Sequence, residues 1–134
     1  MTDYRINKAT TQRPEGDRAI EDKLIKVNLQ ETANMLMAEP SWADSDRNAI
    51  TLFKTDEMTV LMVILRPGAE LKPGSDDGSA TLMVQVLSGS LTYDIDEKAG
   101  LFLADEVVHV QKGTPYSFRA TDDVFTSCLL TVTK

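Results

Sequence analysis

The sequence predicts an all-β domain, a sandwich or small barrel, with a helical N-terminal embellishment. Three observations point there. From Ala49 onward, short apolar and β-branched runs recur at regular spacing. Turn residues separate them: Pro67-Gly68, Ser88-Gly89 and the segment DEKAG, Asp96–Gly100. The run TVLMVIL, Thr59–Leu65, is apolar along its whole length. One face of an antiparallel strand usually meets water, so this run calls for a second sheet on one side. A helix, an arm or a partner subunit would cover the other.

The elements follow in order. Residues 1–23 are polar and charged without a clear period and read as an N-terminal arm, leaving 24–134 as the barrel domain. LIKVNL, Leu24–Leu29, alternates apolar and polar and predicts a first strand. ETANMLMAE, Glu31–Glu39, is rich in helix formers and stops before Pro40, because the residue ahead of proline disfavours the helical region. The stretch PSWADSDRN then reads as a polar loop in which Trp42 plugs the edge of the core rather than lining a ligand mouth. Further strands are expected over 49–53, 59–65, 81–87 and 90–95. In DEKAG, a hairpin loop should end on Gly100, which tolerates positive φ. Strands over 101–103, 107–110, 116–119 and 124–132 complete the set. Tyr93, Phe102, Phe118, Met58, Met62 and Met83 are expected to line the barrel and fill its core.

Composition narrows the function classes. The chain has 134 residues, 42% of them hydrophobic and 26% charged, enough for one proper core. Its net charge of −7 repels phosphate backbones and anionic headgroups, which argues against nucleic acid and membrane as partners. The N-terminus lacks the apolar stretch of a signal peptide, and no run approaches the roughly 18 residues that span a bilayer. A single cysteine forms no internal disulfide and fits a reducing cytoplasm. Cys128 sits in VFTSCLLTV, so it reads as a buried, inert thiol.

From Pro67 the chain resembles the cupins, small jelly-roll barrels (double-stranded β-helices) of the RmlC-like kind. The resemblance covers residues from about 50 to 134 and rests on VLSG before one hairpin and VVHVQKGTPYSF after another. The first cupin motif reads G-x5-H-x-H-x3-4-E-x6-G. Counted from Gly68, its histidine positions fall on Gly74 and Asp76; counted back from Gly89, its glutamate position falls on Leu82. The intervening loop is one residue longer than the pattern. The second motif, G-x5-P-x-G-x2-H-x3-N, fits without gaps and puts Asp105, Gln111, Gly113, Tyr116 and Ala120 at its defined positions. Only Gly113 keeps the family identity.

The resemblance implies a site of three imidazoles and one carboxylate, suited to Fe, Mn, Ni or Zn. Gly, Asp, Leu and Tyr replace them, so the expectation is no metal and no other cofactor. Tyr116 carries the most information, since its phenol would stand at the barrel mouth where a ligand histidine belongs. Two readings stay open for it, a hydrogen-bond donor to a small ligand and an aromatic filling vacated space. Lys72 and Asp76 are expected at the same mouth, with Leu82 making one wall apolar. His109, the only histidine, reads as a strand histidine near a sheet edge, with a general base as the alternative. Asp76-Asp77-Gly78 reads as turn chemistry rather than an acid–base pair. Gln85 should face away from Leu82, Val84 and Val86.

Two functions follow as expectations. The leading one is a metal-free barrel that binds a small molecule or serves as an accessory protein. The alternative is a metal-independent isomerase, epimerase or lyase on a small sugar or organic acid, with Tyr116 paired to His109 or an aspartate. A homodimer is expected because the strand over 59–65 needs extra cover.

Overall fold

Strand β2, Met58–Leu65, organises the molecule because both of its faces are covered. Leu61, Val63 and Leu65 point into one core with Val84, Val86, Cys128 and Leu130. Met62 and Ile64 point the other way, into a second core with Ala33 and Leu36 of a helix. The computed structural model describes residues 21–72, 80–121 and 124–133.

Among the described residues, nine strands form two sheets. The larger has the order β1-β2-β9-β4-β7, built from Arg47–Lys54, Met58–Leu65, Thr126–Thr133, Thr81–Ser88 and Val107–Val110. The smaller has the order β3-β8-β5-β6, built from Glu70–Leu71, Tyr116–Ala120, Ser90–Ile95 and Lys98–Leu103. Every pairing is antiparallel. Side chains from the two inner faces meet in the first core, where Phe118, Leu91, Ala120, Val84, Val86, Cys128 and Leu130 are at most 1% exposed. The jelly-roll expectation holds.

The second core supplies the extra cover. Helix α1, Leu29–Ala38, lays Ala33 and Leu36 on Ile50, Leu52, Met62 and Ile64. The cover over β2 is therefore a helix of this same chain, and the apolar strand gives no reason to invoke a partner. At the helix C-terminus, the buried Asn48 amide of β1 donates to the Leu36 carbonyl and to Glu39 Oε1, both at 2.9 Å. Pro40 offers no N–H to the Leu36 carbonyl, which otherwise accepts only a long 3.4 Å bond from the Glu39 N–H, so the Asn48 amide strengthens the helix end.

Four local expectations need correction. The stretch Leu24–Leu29 is not a strand: residues 24–28 have no regular structure and Leu29 opens α1. Asn28 caps that helix, its side chain accepting the Glu31 N–H at 2.9 Å. Trp42 sits in a short second helix, α2, Pro40–Asp44, because proline suits a first helical turn. Its role is as expected. The ring meets Phe125 edge to face at 6.3 Å, and the Arg66 guanidinium lies 4.1 Å over it while donating to the Trp42 and Ser45 carbonyls.

The β5–β6 hairpin turns on Asp96 and Glu97, at φ 49° and 69°, and Gly100 lies inside β6. Gly100 is needed there because the Tyr93 ring opposite packs onto its backbone; a Cβ would stand 2.6 Å from Tyr93 Cζ. Met83, finally, does not line the barrel. It is 42% exposed on the outer face of β4, where strand alternation places it opposite in sense to Leu82 and Val84. Met62 is core, but in the helix layer.

Candidate functional site

The register fixes which side chains share an end of the barrel. The Ser88-Gly89 turn closes one end, near Val86, Leu91 and Ala120. Toward the other end, Leu82 lies level with Val110 of β7 and Val132 of β9. In the small sheet, Ile95 lies level with Tyr116 at that same end. Leu82, Val110, Val132, Ile95, Tyr93 and Tyr116 all pack into the first core there. Two positions of the metal-site pattern, Leu82 and Tyr116, are thus brought to one mouth. Gly74 and Asp76 lie outside the described residues.

That mouth is apolar. Leu82 is 4% exposed and Val110 2%. Tyr116 is half-buried, its ring 5.6 Å from Phe118, which continues to Phe102 at 5.8 Å and Tyr93 at 6.1 Å. This chain of tilted rings lines the small sheet's inner face. Tyr116 also borders a notch of about 340 Å³ on the outside of the barrel, walled by Asp94, Asp96, Glu97, Pro115 and Ser117. From sequence, Asp96 and Glu97 read as turn residues only. The signal for their position was alternation: with Tyr93 and Ile95 inward, Asp94 must face out beside them.

Other expected site residues do not reach the mouth. His109 is exposed on the outer face of β7, since its neighbours Val108 and Val110 point inward. Tyr116 faces inward from the opposite sheet, so the two rings do not converge on one atom. Lys72 is exposed, and its ammonium reaches Glu70 at 3.7 Å; Glu70 in turn pairs with Arg119 at 3.4 Å. These charges sit on the outer face of the small sheet, while Leu71 between them is buried. Gln85 faces away from the lumen as expected. Cys128 is fully buried, and loss of solvation alone pushes its thiol up to about 12, which leaves it unreactive as a nucleophile.

The motif glycines explain why the scaffold survives without the ligands. Gly113, at φ 84°, is the third residue of a turn closed by the Thr114 N–H on the Gln111 carbonyl at 3.1 Å. Asp105 holds φ 73° at the motif's first glycine position, a region aspartate tolerates better than most residues. The Glu106 N–H closes that turn on the Leu103 carbonyl at 3.0 Å, and Glu106 Oε1 accepts the Leu103 N–H at 2.7 Å. The backbone demands of the motif are met; its metal donors are not.

The comparisons fit this geometry. The cupin_2 domain of an XRE family transcriptional regulator from Enterobacter cloacae superposes with a TM-score of 0.60 at 20% identity, over 67% of this chain and 98% of that one. The chain has the cupin fold. The TT1209 protein from Thermus thermophilus superposes at 0.67 with 15% identity, over 82% of this chain and 97% of that one. A sugar phosphate isomerase of the cupin superfamily from Silicibacter pomeroyi gives 0.55 with 18% identity, over 66% and 60% of the two chains. No family model matches the chain, and no curated protein matches it in sequence.

The cupin fold raises the question of a metal, and the donors present at the described positions do not fit one. Leu82 offers no donor atom and Tyr116 offers a phenol. Among the described residues, no three His, Cys, Asp or Glu side chains come together as a ligand group. The one imidazole faces away from the lumen.

Proposed function

We infer that this chain is a metal-free cupin-fold protein that binds a small molecule at the open end of its barrel. The observation that carries the reading is the pairing of Leu82 and Tyr116 at one mouth, a buried alkyl wall beside a half-buried phenol. Apolar walls with a few placed polar groups are what small-molecule sites generally present. The phenol can donate one hydrogen bond and accept another. The ligand class it suits has an apolar body and a single hydroxyl, carboxyl or phosphoryl oxygen to meet Tyr116.

The isomerase, epimerase or lyase reading needs a second proton-transfer group within reach of the same substrate atom. His109 on the outer face of β7 does not provide it, and this favours binding over catalysis. The test is a thermal-shift and ligand-observed NMR screen of sugar phosphates, hydroxy acids and aromatic acids, repeated on Tyr116→Phe and Tyr116→Ala. Loss of one hydrogen bond should weaken a genuine ligand about three- to tenfold in Tyr116→Phe. Ligands that bind equally well to both variants would place the site elsewhere and end this reading.

A further inference from the structure

We propose that the cleft between helix α1 and the outer face of the larger sheet is a second binding site, one that takes a neutral, single-ring aromatic molecule carrying a hydroxyl group.

The cleft follows from where the helix stops. Helix α1 covers β1 and β2, with Ala33 and Leu36 on Ile50, Leu52, Met62 and Ile64. Beside Ile64, the next outward residue on β9 is the small Ser127. Ser127 and Ala33 are both too short to close the gap, and a cleft of about 260 Å³ remains. Ala33, Met62, Leu87 and Phe125 give it apolar walls, while Ser88 and Ser127 bring two hydroxyls. It lies beside the Ser88-Gly89 turn, outside the lumen and at the opposite end of the barrel from the Leu82–Tyr116 mouth.

An irregularity of β4 builds the polar part. The ladder with β9 pairs Val86 with Cys128 and then Ser88 with Ser127, so two residues of β4 span one step of β9. Such a bulge re-aims side chains, and here the consecutive residues Leu87 and Ser88 line the same cleft. Ordinary alternation would turn one of them into the lumen. The Ser88 and Ser127 hydroxyls stand 2.7 Å apart, and Ser127 is only 4% exposed. Each hydroxyl holds one proton and two lone pairs, and their mutual bond uses one of each. A proton and three lone pairs are left, so the pair can both donate to a ligand hydroxyl and accept from it.

Size and chemistry select the ligand. An apolar cavity of about 150 Å³ holds benzene, so this cleft takes one ring with a substituent. Phe125 offers a ring and Met62 a thioether, and both favour an aromatic body over an alkyl one. Among the described residues, no charged side chain lines the cleft. An ion placed there would lose its hydration without gaining a counter-charge. The polar group of the ligand is therefore neutral, and a hydroxyl matches the serine pair.

Three probes share one ring and differ in a single group: toluene, benzyl alcohol and benzoate. In amide NMR titrations of the full chain, benzyl alcohol should move the signals of Ala33, Leu87 and Ser127 saturably. The Trp42 indole signal should follow, because its ring meets Phe125 at 6.3 Å. Benzyl alcohol should bind about three- to tenfold tighter than toluene, the worth of one neutral hydrogen bond. Benzoate should bind more weakly than benzyl alcohol. Ser88→Ala combined with Ser127→Ala removes both hydroxyls and leaves no orphaned partner. That double variant should lose the preference for benzyl alcohol and keep its affinity for toluene. Shifts confined to Leu82, Tyr116 and their neighbours would put the ligand at the barrel mouth and overturn the proposal. So would the absence of shifts at Ala33, Leu87 and Ser127 with about 5 mM benzyl alcohol. Benzoate binding as tightly as benzyl alcohol, or a preference that survives the loss of both serines, would overturn it equally.

Discussion

Replacing Leu82 with glutamate restores the carboxylate of the cupin pattern and tests whether the mouth is a polar cup or an apolar plug. Leu82 is 4% exposed, with Val110 and Val132 as its lumen-facing neighbours across the ladder. Losing the buried leucine contributes roughly 2–3 kcal/mol of destabilisation at any pH. The glutamate adds a pH-dependent term. In apolar surroundings the carboxyl stays protonated, and its pKa rises from about 4.3 by roughly 3 units. The folded state then holds a proton that the unfolded state releases. Stability is unaffected by this term below the unfolded pKa and falls as pH rises toward the folded one. At 1.36 kcal/mol per unit, the added loss near neutrality is about 4 kcal/mol. Urea denaturation of wild type and Leu82→Glu at about pH 4.5 and about pH 7.5 reads the difference directly. A divalent metal should not rescue the variant. A cost under about 1 kcal/mol that does not change with pH would mean a wet, polar mouth, and the reasoning from burial would be wrong.

Three further outcomes follow from the packing. Gly89→Ala should cost about 2–4 kcal/mol in denaturant, because φ is +81° and the new Cβ would meet the Phe125 carbonyl at 2.7 Å and Thr126 Cα at 2.9 Å, both backbone; a neutral result would mean the turn is free to rearrange. Arg66→Ala should cost about 1–3 kcal/mol and shift tryptophan emission to the red, since it removes the cation over Trp42 and three charged hydrogen bonds to the Trp42 and Ser45 carbonyls; unchanged emission would argue against the clamp. Cys128 should resist thiol reagents in the folded protein and react on unfolding. Its raised pKa also predicts stability that falls as pH climbs above about 9, by up to 1.36 kcal/mol per unit until the folded pKa is reached; labelling of the native protein at the unfolded rate would contradict the burial.

Much of the fold was legible because the lumen enforces period 2. Leu82, Val84 and Val86 marked the inner face of β4, and Thr59–Leu65 announced two covered faces. What failed was local competition. Leu24–Leu29 alternates like a strand, yet Asn28 and Glu31 form a helix N-terminus, and the cap outranked the alternation. Trp42 fell in a helix because Pro40 starts one as readily as it ends another. Gly100 looked like a turn residue but serves the ring of Tyr93, a cross-strand contact that local sequence does not display. At the site, spacing put Leu82 and Tyr116 on strand positions that pack into the first core, and the motif's positive-φ turns at Asp105 and Gly113 persist. Lys72 shares its parity with Glu70, so both sit on the outer face of the small sheet, away from the lumen.

The most direct measurement is elemental mass spectrometry of the purified, untagged protein for metals per chain. No transition metal above trace, with none retained after incubation and desalting, is the expected result. A stoichiometric iron, manganese, nickel or zinc would contradict it, and would require donors other than Leu82 and Tyr116 to form the site.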